Sequence, residues 1–319
     1  MTPIDLTRPA VVTGGAGAIG TVLVRALLDR GASVRVVDNF SSGRRDHLPD
    51  PAREPKLTVV EADIRSRPSF ESACQGAGSV WHLAANPDIR RGTEEPNLDL
   101  EHGTIGTANV LEAARRGDVP HVLFSSSSVV YGWPTRFPTP EDYGPLLPQS
   151  LYGASKLASE GLVSAYSACY GMQGTIFRFA NIIGPAMTHG VLYDFFRKLE
   201  REPGRLEVLG DGRQSKSYLT TDDCVAAMLV AAERGAGPVG AYNLGTRDRT
   251  SVREIAERIV AATGGTARIE YTGGDRGWTG DIPQQLLAID RISGLGWSPR
   301  WTSSEAVDRT ILELAARRA

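Results

Sequence analysis

The chain has 319 residues, 35 basic and 37 acidic, for a formal net charge of −2, with both signs interspersed along its length. That balance leaves no electrostatic footprint for a nucleic acid or a membrane surface, no apolar run is long enough to span a bilayer, and no charged-then-apolar leader precedes the first apolar run. Three cysteines, Cys74, Cys169 and Cys224, lie far apart without CxxC spacing, so neither a disulfide framework nor a metal site is expected, and a reducing cytoplasm fits best.

The length suits one large α/β domain, or a dinucleotide domain carrying a smaller second lobe. Apolar runs at Ala10–Thr13, Val34–Asp38, Leu57–Glu61, Ser79–Leu83, His121–Ser125 and Thr175–Phe179 alternate with helical patterns, as in a parallel sheet covered on both faces. Between the first two runs Ile19, Val22, Leu23, Ala26 and Leu27 repeat at helical spacing and Gly31 closes the segment, completing one βαβ unit by residue 38. After Phe179 the rhythm becomes irregular, with Gly184-Pro185, Pro203-Gly204 and Gly210-Asp-Gly212 as punctuation. Helical patterns return at Asp222–Arg234, Ser251–Thr263 and Ser303–Arg317, the second opening with a capping box of Ser251 and Glu254. Ala241–Gly245 reads as a strand returning to the main sheet. The expected division is a Rossmann-type domain at 1–179 plus about 217–247, and a smaller α/β lobe at about 180–216 plus 248–319.

Gly14-Gly-Ala-Gly17-Ala-Ile-Gly20 follows the first strand and opens the first helix, where glycines permit a tight turn and close approach of a pyrophosphate to the helix N-terminus. Asp38 ends the second strand 18 residues beyond Gly20, where a carboxylate accepts hydrogen bonds from both adenosine ribose hydroxyls. The same charge repels a 2′-phosphate, so NAD is favoured over NADP, with Arg44 and Arg45 as cations that would dilute the preference. Asp63 and Ile64, after the third strand, are candidates for an adenine contact.

Downstream, Tyr152 and Lys156 stand four apart, sharing one helical face, just after the run Ser125–Ser128. A free tyrosine holds its proton near pH 10, so it becomes a useful base where a neighbouring cation favours the phenolate. Lys156 is placed to supply that charge, and Ser127 to hydrogen-bond the substrate oxygen and relay its proton. Such a set suits oxidation or reduction of a carbinol.

The glycine turn together with Tyr152-x-x-x-Lys156 resembles the extended short-chain dehydrogenase/reductase family. His82–Ala85, Val129-Val-Tyr-Gly132, Arg178–Asn181, Gly184-Pro185, Gly210-Asp-Gly212 and Ser217–Asp223 extend the likeness over nearly the whole chain. Within that family, Asn181, the segment from His189 to Asp194, Lys216–Leu219 and Gly277–Asp281 are most similar to prokaryotic UDP-glucose 4-epimerases. The resemblance implies Ser127, Tyr152 and Lys156 as the catalytic set. It implies cofactor contacts at Gly14, Gly17, Ala18, Ile19, Asp38, Asn39, Ser42, Gly43, Asp63, Ile64, Leu83, Ala84, Ala85, Ser125, Tyr152 and Lys156. Substrate contacts are implied at Asn86, Ser127, Tyr152, Asn181, His189, Val191, Lys216 and Arg276, with Asn181, Lys216 and Arg276 on the nucleotide diphosphate.

Related 4,6-dehydratases carry an Asp-Glu pair after the catalytic hydroxyl, and UDP-glucuronate decarboxylases a glutamate at the position of Val129; here Ser128 and Val129 follow Ser127. The expected reaction is therefore NAD-dependent 4-epimerisation of a nucleotide sugar of the UDP-glucose/UDP-galactose type. UDP-glucuronate and UDP-N-acetylhexosamine epimerases, a sugar-nucleotide ketoreductase, a 4,6-dehydratase and a non-catalytic NAD-binding protein are the alternatives. A glucuronate substrate would want a cation from Arg90, Arg91 or His189. Two departures stand out: Gly103 where relatives often have asparagine, and Lys216-Ser217 in place of Arg-Asp. His82 is expected to be structural or close to the cofactor rather than catalytic, and Trp278, Trp297 and Trp301 to pack the smaller lobe. By resemblance the chain is a homodimer joined through helices at Asn97–Arg116 and Leu151–Tyr170.

Overall fold

The computed structural model describes residues 4–278 and 280–318. Seven parallel strands form the main sheet: β1 (Ala10–Thr13), β2 (Val34–Asp38), β3 (Leu57–Glu61), β4 (Ser79–His82), β5 (His121–Ser127), β6 (Gln173–Phe179) and β7 (Val239–Leu244). Their spatial order is β7-β6-β5-β4-β1-β2-β3. The chain thus builds outward from β1 to β3, then crosses to the other side of β1 and builds outward again. That reversal opens a crevice at the carboxyl ends of β1 and β4, which lie side by side with Thr13 opposite His82.

Two apolar layers sandwich the sheet because alternate strand residues point to opposite faces. Val12, Val34, Val36 and Trp81 pack with Leu23 and Leu27 of α1 (Ala18–Asp29) on one face. Val11, Val37, Val80 and Phe124 pack with Val110 and Leu111 of α2 (Gly106–Arg116) and Val163 of α3 (Leu151–Tyr170) on the other. Helix α3 starts where Ser150 Oγ accepts from the Gly153 amide, and ends at Gly171 in the left-handed conformation (φ +72°).

A third apolar cluster belongs to the segments after Phe179. In α4 (Val191–Arg201), Leu192, Phe195, Phe196 and Leu199 form a helical stripe against Ile255 and Ile259 of α6 (Val252–Ala262) and Val307 and Ile311 of α7 (Ser303–Ala316). The expected Ser251/Glu254 capping box is formed, and Thr302 with Glu305 makes a second. Helix α5 (Thr221–Arg234) returns to the main sheet and packs on α1.

Several details differ from the sequence reading. β5 runs on through Ser127 because its backbone continues to pair with β6, Ser127 opposite Phe179. The helix expected at Asn97–Arg116 is broken into a short α-turn, a π-helical turn at Leu100–Ile105 and α2. Trp297 does not pack the smaller lobe: with Ile289 and Ile292 it joins the core of the main sheet, while Trp301 is exposed beneath Arg309.

His82 is structural. Thr107 Oγ1 gives its proton to the Gly103 carbonyl at 2.6 Å, so His82 Nε2 must donate to Thr107, at 3.0 Å, and Nδ1 accepts from Thr13 Oγ1 at 2.7 Å. The ring is held neutral, and burial pushes its pKa down to about 3. Burial likewise pushes His121, bonded to Thr175, down to about 4. Both folded values lie below the unfolded value of about 6.5, so the unfolded chain binds more protons and stability falls as pH drops through 6.5 toward 4. His121→Gln, which keeps a bond to Thr175 but cannot titrate, is expected to flatten this fall; urea midpoints between pH 7.5 and 4.5 that drop equally in both proteins would contradict it.

Candidate active site

The first cleft lies at the switch point and spans about 1040 Å³, the open solvent at its mouth included. Gly14, at φ +70°, turns the chain where any side chain would meet the Ala84 backbone at 2.7 Å. Gly20 is as constrained, since a Cβ there would strike the Gly14 carbonyl oxygen. No side chain caps α1, leaving its first-turn N–H groups at Ala18 and Ile19 on the cleft wall. Asp38 is buried at the end of β2; Oδ2 accepts from the Ala16 amide at 2.9 Å and Oδ1 from the Phe40 amide at 2.8 Å. The carboxylate therefore braces the glycine turn and presents negative charge at the wall. The uncapped helix end and close-packed turn fit a dinucleotide pyrophosphate.

Of the residues expected to hold the cofactor, Gly14, Gly17, Ala18, Ile19, Asp38, Asn39, Ser42, Gly43, Ile64, Leu83, Ala84, Ala85, Ser125, Tyr152 and Lys156 all line this cleft. Asp63 is not on its wall: its carboxylate is taken by Arg65 at 2.9 Å and Asn39 at 3.1 Å, which hold it well below the usual carboxylate range. Arg44 and Arg45 are likewise committed, to Asp46 and Glu61, each at 2.6 Å. Ser41, Ser126, His102 and Phe179 also line the cleft, although sequence reasoning missed them.

Helix α3 carries Tyr152 and Lys156 along the end of β5. Lys156 Nζ donates to the Ser125 carbonyl at 2.6 Å and lies 5.6 Å from the Tyr152 ring centre. One turn later Glu160 accepts from Ser126 Oγ at 2.6 Å and forms a two-pronged buried pair with Arg178 of β6, at 2.7 and 2.9 Å. Arg178 also donates to the Tyr131 hydroxyl, which donates to Asn243. This network was not visible in the sequence, because its partners come from four separate segments.

Burial pushes Lys156 down to about 7 and pushes the Tyr152 phenol above its ordinary value, with the charge of nearby Asp99 adding to the latter. The sequence reading has Lys156 favouring the phenolate; in the protein by itself desolvation outweighs that attraction.

A second, smaller cleft of about 370 Å³ is lined by Ile89, Ser128, Val129, Asn181, Lys216, Trp278, Gly280, Asp281, Ile282 and Gln285. Asn181 and Lys216 are where a substrate was expected, but Lys216 is bound to Asp281 at 2.6 Å. Gln285 is buried, and its Oε1 accepts from the Ser217 amide at 3.2 Å and Asn181 Nδ2 at 3.3 Å. A backbone amide can only donate, so the side-chain orientation is settled, and Nε2 is left buried without a hydrogen-bond partner among the described residues. Such a donor costs stability until a ligand satisfies it. Val191 does not reach either cleft but packs on the smaller lobe's core, and Arg276 lies over the Trp133 ring at 4.3 Å, outside both clefts. Asn86 and His189 line the first cleft instead. Arg90 spans from Asp88, at 3.2 Å, to Asp194 of α4, at 3.4 Å.

Residues 10–245 match the NAD dependent epimerase/dehydratase family. The UDP-glucose 4-epimerase of Mycolicibacterium smegmatis is 32% identical over 310 residues, spanning 94% of this chain and 96% of that protein. A crystal structure of a UDP-galactose 4-epimerase, 39% identical, covers 97% of this chain and 99% of its own with a TM-score of 0.87. The Thermotoga maritima UDP-glucose 4-epimerase solved with UDP-glucose is 30% identical, covering 98% of this chain and all of its own at 0.87. A crevice built for a dinucleotide, a Tyr152/Lys156 helix clamped beside it and this likeness along the whole chain converge, and the protein belongs to the NAD-dependent epimerase/dehydratase family.

Proposed function

We infer that the protein is an NAD-dependent nucleotide-sugar 4-epimerase acting on a UDP-hexose of the glucose/galactose type. The observation that carries this reading is the pairing of Tyr152 and Lys156 at the first cleft with Ser128 and Val129 on the wall of the second. The two positions after Ser127 line the second cleft and offer no acid/base pair, which suits reversible oxidation at a single carbon. The exposed cations considered for a sugar carboxylate are engaged elsewhere, Arg90 with Asp88 and Asp194, and Arg91 with Glu95 at 3.0 Å, which favours a neutral hexose over a glucuronate. Asp38 at the cleft wall, with Arg44 and Arg45 paired away, favours NAD over NADP.

NAD, when bound, supplies the hydride acceptor and later donor for C4. Tyr152 takes the proton of the 4-hydroxyl, with Ser127 holding that oxygen, and gives a proton back once the 4-keto sugar has presented its other face. Lys156 holds the nicotinamide ribose and offsets the negative charge on the phenolate. Because the hexose must turn, most of the affinity belongs to the nucleotide diphosphate, for which Asn181, Lys216 and the free Gln285 amide are the proposed contacts. Ser127, Tyr152 and Lys156 are the proposed catalytic residues.

The two-lobe division at 1–179 plus about 217–247 and at about 180–216 plus 248–319 is part of this reading, with Ile289–Trp297 packing back on the main sheet. So is a homodimer joined through the π-turn, α2 and α3, supported by exposed Leu100, Ile105, Leu151 and Tyr170 on those segments. Light scattering should then give twice the 34.2 kDa chain mass. A cytoplasmic setting is supported by three unpaired cysteines; no helix among the described residues is long and apolar enough to cross a membrane.

Inversion at C4 in a panel of UDP-glucose, UDP-galactose, UDP-N-acetylglucosamine and UDP-glucuronate, followed by proton NMR, tests the reaction and its substrate. Steady consumption of reduced nicotinamide or a new 6-deoxy methyl signal would replace it with a reductase or a dehydratase. Tyr152→Phe is expected to lower kcat by at least about a hundredfold while the purified protein keeps its NAD; near-normal turnover removes Tyr152 from the mechanism. Gln285→Leu is expected to raise KM for the nucleotide sugar about three- to tenfold with a smaller change in kcat, the worth of one neutral hydrogen bond. An unchanged KM would mean that the amide does not meet the substrate.

A further inference from the structure

The π-helical turn at Leu100–Ile105 sits between the cofactor cleft and α3. Turns of this kind are rare and recur at functional sites because the extra residue per turn redirects a side chain. The turn carries His102, partly buried on the cleft wall and the sole contributor to that wall from residues 88–124 among those described. Its imidazole makes no hydrogen bond to the described protein.

The next residue cannot share the task. A Cβ on Gly103 would strike Ser155 Oγ, and the Gly103 carbonyl is already taken by the hydroxyls of Thr107 and Ser159, at 2.6 and 3.2 Å. Position 103 therefore sends no side chain into the cleft.

The direction of His102 follows from the helix beyond it. A Cβ on Gly106 would meet the Ile64 side chain at 2.6 Å, and Asn109 Nδ2 donates to the carbonyls of Ile64 and Arg65, both at 3.0 Å. His102, Gly106 and Asn109 form one stripe facing the segment after β3. That segment, with Val37 and Ala62, makes an apolar wall beyond Asp38, on the adenosine side of the cleft.

We propose that His102 is a cofactor-binding residue that supplies the polar contact to the adenine base of the bound dinucleotide, in a wall otherwise built from Val37, Ala62 and Ile64. This rests on the reading that the first cleft holds NAD. The imidazole hydrogen-bonds the purine edge.

Calorimetric titration of protein freed of bound nucleotide, using NAD, AMP and nicotinamide mononucleotide as separate probes, tests the assignment. In His102→Ala, Kd for both AMP and NAD is expected to rise about tenfold, with nicotinamide mononucleotide unaffected and the melting temperature within a degree or two of wild type. His102→Gln, which keeps a hydrogen-bonding edge, should recover part of the loss. Wild-type affinities for AMP in His102→Ala, or a loss confined to nicotinamide mononucleotide, would overturn the role of His102 while leaving the cleft an NAD site. Wild-type protein that binds neither NAD nor AMP would overturn the reading of the cleft itself, and this role with it.

Discussion

The docking of α3 onto the carboxyl end of β5 is the constraint on which the remaining chemistry depends. Two successive strand residues are gripped by two successive turns of the helix: Lys156 on the Ser125 carbonyl, Glu160 on the Ser126 hydroxyl. Glu160 is in turn fixed by Arg178 from the next strand, and the pair is almost wholly buried, with side chains 7% and 8% exposed. A buried ion pair is a poor source of net stability, because desolvating two charges consumes most of their attraction. Its value here is registry. A shift of the helix by one residue would bring Ser159 or Gly161 in place of Glu160 and leave an uncompensated Arg178 charge in the core. Tyr152, two turns before Glu160, therefore keeps a defined height on the wall of the first cleft.

The glycine turn is organised on the same principle, with backbone atoms in place of ions. Asp38 spends two acceptor positions on the amides of Ala16 and Phe40, so the carboxylate expected to meet the ribose also holds the loop that meets the pyrophosphate. Changing this one side chain would alter both the shape and the charge of the cleft. The crevice between β1 and β4 is thus prepared locally at one end, by β1, the glycine turn and β2, and by long-range packing at the other, where α3 meets β5 and β6.

This division explains what the sequence discloses. The β1–turn–α1–β2 unit is legible because its contacts lie within some thirty residues and rest on glycine sterics and period-2 and helical patterning. Tyr152 and Lys156 are legible as a pair since one helix carries both. Glu160–Arg178, Gln285 and His102 are not, because each depends on partners separated by tens of residues or on a π-turn with no sequence signature. Arg276 and Lys216 show the converse weakness. A cation at a promising position is identified easily, but whether it is free depends on Trp133 and Asp281, which the local sequence does not reveal. Trp297 fails for a related reason: an aromatic near the C-terminus was assigned to the nearest lobe, whereas it is buried with Ile289 and Ile292 in the main core.

The titrating groups of the site bring out the cost of enclosing it. Burial raises the phenol and lowers the ammonium, so both Tyr152 and Lys156 move toward their neutral forms, and Asp99, itself raised by burial, stands near enough to oppose a phenolate further. Burial therefore opposes charge on both groups. Positive charge brought into the cleft with a ligand would act on all three groups at once, favouring the phenolate and relieving the repulsion from Asp99. In a low-dielectric crevice that effect is far larger than it would be in water. The same enclosure that opposes ionisation of Tyr152 thus makes its acidity sensitive to charge in the neighbouring cleft.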